Sequence, residues 1–193
     1  ICLWILVSYV LGSLPFGIII ARGCRGIDPR TAGSGNPGAT NVARLCGLPW
    51  GVLTLACDLL KGLIAVNNLR LTPEAWFHSA CALAVVGGHI KSCFLGFKGG
   101  KGVSTTIGAL LPLGVLPLLC AVGCCLLVIA LSSYVSLGAL IRVTSLLAFH
   151  PLFGRIDLLP LAAVLTVVVF WTHRSNIGRL RRGEEKSWRR SKS

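Results

Sequence analysis

The chain has 193 residues, 54% of them hydrophobic and 13% charged, with a mean hydropathy of +0.78. A soluble domain carries about 25% charged residues, so this composition leaves too little polar surface for a water-facing globule and points to a bilayer. The net charge of +13, from 19 Lys plus Arg against 6 Asp plus Glu, suits anionic partners such as lipid headgroups or phosphorylated substrates. Nucleic acid is set aside as a partner, because the basic residues fall between apolar spans rather than along one face.

The first 21 residues carry no charge and are long enough for one crossing. With no basic leader and no small-residue cleavage site they read as a span rather than a cleaved signal. Ile1 comes first and methionine is absent, so the start of the reading frame is expected upstream. Gly12-Ser13-Leu14-Pro15 predicts a kink in this span, since proline removes a backbone donor. Residues 22–48 read as one glycine-rich loop with Arg22, Arg25, Arg30 and Arg44, a length uncommon without a function. A second span covers 49–69, where Asp58 and Lys61 share a helix face and are expected to form a structural ion pair. A third covers 75–89, closed by His89, which is expected to orient the loop that follows; this second basic loop, GGHIKSCFLGFKGGKG, occupies 87–102.

No charge appears between residues 102 and 141. That is too long for one crossing, and Pro112, Gly114 and Pro117 divide it into two helices, the first short. Residues 134–150 and 157–173 supply two more. The expected fold is an all-α polytopic membrane helical bundle of about seven transmembrane helices, some short or kinked, with five as the alternative. It forms a single integral membrane domain over 1–193, with cytoplasmic loops at 22–48 and 90–104 and a cytoplasmic tail at 174–193. The two loops hold seven Lys/Arg and the tail eight. Both counts put these on one side, as the positive-inside rule asks, with the amino terminus outside. Nine cysteines include no C-x-x-C pair, so neither disulfides nor a zinc site is expected, and no cofactor is called for.

Three segments carry chemistry. In AGSGNPGATNVAR (32–44) the spacing of Gly33, Gly35 and Gly38 formally matches a dinucleotide fingerprint, which is rejected for want of a βαβ unit. The closely spaced glycines still let backbone N–H groups turn toward an anion, and a helix start after them would add its positive end. Ser34, Asn36, Thr40 and Asn41 add neutral donors, and Arg44 a fork for phosphate. The plainer alternative is turns plus a headgroup anchor. The second segment, Phe97-Lys98-Gly99-Gly100-Lys101-Gly102 followed by Ser104, is not a Walker motif. It can still form an anion pocket, with Lys101 as a flexible point charge and Ser104 or Thr105 as helix caps; an inner-surface lysine patch is the alternative. In the third, His173 and Asn176 stand three apart, on one helical face, and could hold a hydroxyl or carbonyl. Arg179, Arg181 and Arg182 read as a stop-transfer anchor.

Together with Gly12-Ser13-Leu14-Pro15, Asp58-Leu59-Leu60-Lys61-Gly62, Gly88-His89 and Gly183-Glu184-Glu185, these segments resemble, in order and spacing, the acyl-phosphate-dependent glycerol-3-phosphate acyltransferases of bacterial inner membranes. The resemblance covers nearly the whole chain. It implies transfer of a fatty acyl group from acyl phosphate to the 1-hydroxyl of glycerol 3-phosphate, giving lysophosphatidic acid and phosphate, in contact with membrane lipids. It also implies Ser34, Arg44, Lys101, His173 and Asn176 as active-site residues, with the glycines of both loops framing phosphates. Lys101 and the backbone of 99–102 are assigned to the acyl phosphate, Arg44 with Ser34 to a substrate phosphate, and His173 with Asn176 to the attacking hydroxyl. Exchange of the two phosphate sites, and a general-base role for His173, stay open. Two departures from the family pattern are Lys91, where an aromatic-proline pair is usual, and Glu184 in place of threonine. An anion transporter is the competing reading, but its expected sign, a repeat with interrupted helices at matching positions, is not found.

Overall fold

Apolar length decides where the helices fall. The computed structural model describes residues 1–67 and 74–188, and these are helical without strands. In one compact unit, Ile1–Leu113, lie α1 (Cys2–Ser13), α2 (Phe16–Arg25), α3 (Ala39–Cys46), α4 (Leu48–Val66), α5 (Ala75–Ile90) and α6 (Val103–Leu110). In a second, Gly114–Ser193, lie α7 (Val115–Ser132), α8 (Val135–Leu152), α9 (Leu159–Thr172) and α10 (Arg174–Arg181). Each of the seven expected apolar segments is helical. Among the described residues four stretches are long and apolar enough to cross a membrane: Cys2–Arg25 taken through its bend, α4, α7 and α8. The pair Ile156–Thr172 and Arg174–Arg181, bent by 63°, makes a fifth. The chain is an all-α polytopic membrane protein. Residues 68 and 69 of the second expected span, and 189–193 of the tail, lie outside the described residues.

Three boundaries differ from the sequence expectation. Helix α2 continues through Arg22 and Arg25, and α3 lies inside what reads as one loop. Helix α3 forms because Val42 and Cys46, one turn apart, bury against Ala21, an apolar pair too short to register as a period. The tail opens as helix α10, which runs beyond the single i, i+3 pair that the sequence marks as helical.

Close crossings hold the first unit together. A Cβ at Gly12 would land on the Val85 carbonyl oxygen, and one at Gly88 on that of Tyr9, so α1 and α5 meet backbone to backbone. Gly62 and Gly108 do the same for α4 and α6. Small residues serve this purpose in membranes, where dispersion contacts replace the hydrophobic drive between helices.

The kink expected at Pro15 is a full break between α1 and α2. A break leaves carbonyls without helical donors, which is costly at membrane depth. Ser92 Oγ donates to the Ser13 carbonyl at 2.6 Å, and Lys61 Nζ to the Leu14 carbonyl at 3.0 Å. In the second unit, Leu140 and Val143 of α8 pack with Val169 of α9, and Ile177 and Leu180 of α10 close over them.

Candidate active site

The first loop is organised by one side chain. Asn41, 2% exposed in the first turns of α3, donates through Nδ2 to the carbonyls of Pro29, Ala32 and Asn36 at 2.9, 3.1 and 3.0 Å. Its Oδ1 accepts the Ser34 N–H at 2.8 Å. These bonds draw 29–36 into a tight arc in which Gly33 and Gly35 take φ of 65° and 71°, values that favour glycine. The arc leaves Ser34 exposed, and Asn36 Oδ1 accepts the Gly38 N–H at 2.8 Å, closing the turn into α3. Thr40 and Arg44 are half-buried at the start and end of α3. The Asn41 amide, expected as a substrate donor, is thus engaged with its own loop.

Part of the loop's positive charge is met locally. Asp28 accepts Arg30 Nη2 at 2.7 Å and Arg22 Nη2 at 2.8 Å. The Arg30 side-chain and backbone bonds, then Arg22, hold the Asp28 carboxyl well below the usual carboxylate range.

The second loop is organised by main chain. The Gly99 and Gly100 N–H groups donate to the carbonyls of Ile90 and His89 at 2.9 and 3.0 Å, satisfying the C-terminal end of α5. These two amides therefore cap α5, whereas the sequence reading aimed them at a phosphate. Lys98 is exposed and Lys101 half-buried. Gly102, with φ of 80°, is the N-cap of α6, and no side chain caps that helix. This corrects the expectation that Ser104 or Thr105 does so: α6 starts one residue earlier, which leaves Ser104 half-buried inside its first turn.

Behind both loops lies a buried charge cluster. Asp58 Oδ1 is 2.8 Å from Lys61 Nζ and 3.6 Å from His89 Nδ1, with both members of the ion pair about 3% exposed at the side chain. The ion pair matches the sequence expectation; the approach of His89 has no counterpart in the i, i+3 pattern. Pro15, Pro37, Asp58, His89, Ser92 and Gly100 line one shallow pocket, so the helix break and both loops border the same space.

In the second unit, His173 is 2% exposed and Asn176 5%. His173 Nδ1 lies 2.8 Å from the Val169 carbonyl; a carbonyl only accepts, so Nδ1 carries a proton and donates it there. Asn176 Nδ2 donates to Glu185 Oε1 at 2.5 Å, as does Ser136 Oγ at 2.7 Å, and Arg179 Nε reaches Glu185 Oε2 at 2.7 Å. Burial acts to raise the Glu185 carboxyl, but the bonds from Asn176, Ser136 and Arg179 outweigh it and hold it below its ordinary value. This anchoring role is invisible in the sequence, where Glu185 is only one member of a Gly-Glu-Glu run.

Comparison with known proteins is specific. The family described as Glycerol-3-phosphate acyltransferase matches residues 2–183. A glycerol-3-phosphate acyltransferase of Nitratidesulfovibrio vulgaris is 55% identical over 97% of this chain, which spans 58% of that relative's length. One from Lawsonia intracellularis is 46% identical, covering 99% of this chain and 97% of the relative. Among solved structures, PlsY, an integral membrane glycerol 3-phosphate acyltransferase, aligns in its glycerol 3-phosphate form with a TM-score of 0.92 and 35% identity. That alignment covers 96% of this chain and 94% of PlsY. Its lysophosphatidic acid form aligns with a TM-score of 0.90.

Proposed function

Because the chain belongs to the glycerol-3-phosphate acyltransferase family, we propose that it transfers a fatty acyl group from acyl phosphate to the 1-hydroxyl of glycerol 3-phosphate in the bacterial inner membrane. The observation that carries this reading is the likeness over nearly the whole chain to a protein solved in glycerol 3-phosphate and lysophosphatidic acid forms. The donor is inferred from the motif resemblance and from the chemistry of the loops. Two phosphorylated reactants repel one another, and offsetting that repulsion needs fixed cations. Arg44 with Ser34 serves one phosphate and Lys101 the other, with the first three N–H groups of α6 beside Lys101 in sequence.

The hydroxyl oxygen bonds to the acyl carbonyl carbon, and the carbon–oxygen bond to phosphate breaks. Phosphate departs with the electron pair, and lysophosphatidic acid stays in the bilayer. An acyl phosphate is already activated, so a phosphate oxygen takes the hydroxyl proton. The resemblance assigns the attacking hydroxyl to His173 and Asn176, which Val169 and Glu185 hold within their own unit. The two loops and the tail face the cytoplasm, and the amino terminus lies outside.

Purified protein supplied with palmitoyl phosphate and glycerol 3-phosphate is expected to release phosphate and form lysophosphatidic acid, with little product from palmitoyl coenzyme A. Lys101→Ala and Arg44→Ala are each expected to lower turnover by roughly 100-fold or more. Normal turnover in both variants rejects the site, and phosphate passage across sealed vesicles without acylation rejects the enzyme in favour of a transporter.

A further inference from the structure

We propose that His89 is a positioning residue that sets the shape of the lysine loop, its imidazole acting as a wedge between the buried Asp58 carboxylate and the Gly100 peptide. Its effect on turnover rests on the assignment of Lys101 to a substrate phosphate; the wedge itself does not.

His89 occupies the last turn of α5, its side chain 9% exposed. One ring nitrogen, Nδ1, lies 3.6 Å from Asp58 Oδ1. The other, Nε2, lies too close to the place a Cβ on Gly100 would take for both to fit. Asp58 is fixed in turn by Lys61 Nζ at 2.8 Å, and Lys61 by the Leu14 carbonyl at 3.0 Å. A line of contacts thus runs from the helix break through the ion pair and the ring to the residue before Lys101. The main chain of His89 grips the same point, since its carbonyl accepts the Gly100 N–H at 3.0 Å. Side chain and backbone of one residue therefore hold the loop from two directions. Gly100 has an ordinary backbone φ, so what forbids a side chain there is the ring and not the conformation.

The test is a space-exchange cycle of His89→Ala, Gly100→Ala and the double variant in the full-length protein in detergent. Amide hydrogen exchange is followed across the chain, and phosphate release from palmitoyl phosphate is followed in parallel. Gly100→Ala is expected to drive the loop off the ring, speeding exchange at 97–103 and lowering kcat/KM by ~10-fold or more. Adding His89→Ala vacates the space the new methyl needs, so the double variant is expected to exchange more slowly and turn over faster than Gly100→Ala alone. Losses that merely add, wild-type exchange in Gly100→Ala, or faster exchange spread through α4 and α5 each overturn the proposal. If wild-type protein fails to use palmitoyl phosphate, the functional reading falls, while the exchange cycle still decides the wedge.

Discussion

Loop 27–38 hangs from one amide side chain, Asn41, whereas loop 91–102 hangs from main-chain carbonyls at the end of the helix before it. Glycine serves the two in different ways. At Gly33 and Gly35 it supplies positive φ for a tight arc; at Gly99 and Gly100 it supplies the absence of a Cβ, letting the strand of chain lie on His89. Both solutions give backbone polar groups partners within the chain. They differ in fragility: a keystone side chain can be removed by one substitution, but a backbone grip yields only to a steric wedge.

The sharpest way to break the first loop is Asn41→Asp, which keeps shape but points a carboxylate at three carbonyl oxygens. It is expected to do at least as much damage as Asn41→Leu, lowering phosphate release by roughly 100-fold or more, because both amide hydrogens that serve these carbonyls are lost at once. An active Asn41→Asp variant would show that acceptance of the Ser34 N–H alone shapes the arc. The matching change in the second loop is Gly99→Ala, whose methyl would land on the His89 carbonyl oxygen. Overpacking of this kind costs about 1–3 kcal/mol of stability, read as faster exchange across 97–103 and a fall in kcat/KM with α4 and α7 still protected from exchange. Ser92→Ala leaves the Ser13 carbonyl without its donor and is expected to lower thermal stability by about 1–2 kcal/mol. The smallest effect belongs to Asp28→Asn at the water-facing edge of the first loop, about 0–1 kcal/mol. Its sign follows from the depressed carboxyl: the contribution is complete at pH above the ordinary value near 3.8 and fades as pH falls below it. Wild type and variant should differ equally at pH 7 and pH 5 and converge only in stronger acid, as melting curves at each pH would record.

Helix positions were legible because a bilayer imposes a length and an apolar composition that any reader of the sequence can measure. Pro15 and the Asp58–Lys61 pair were legible for the same local reason: one removes a donor, and the other places opposite charges on one helix face. Asn41 was legible only as a polar residue in a glycine-rich segment. Its commitment to Pro29, Ala32 and Asn36 depends on how the chain curls back over itself, which no periodicity encodes. Glu185 went unread in its structural role for a similar reason, since its partner Ser136 stands far away in sequence; His89 was legible as the residue that orients the loop after its span, but its partner Asp58, also distant in sequence, was not. The onset of α6 at Gly102 was missed because serine and threonine are good caps in general, whereas here a left-handed glycine turns the chain.

The severed first span carries a consequence for how the protein is made. Its dangling carbonyls are met by Lys61 and Ser92, which are joined to the chain 47 and 79 residues after the carbonyls they serve. The earlier segment therefore waits for later arrivals before its bent form is the better one. Chains cut short of residue 92 should hold that segment straighter and shield its amides differently from the finished molecule.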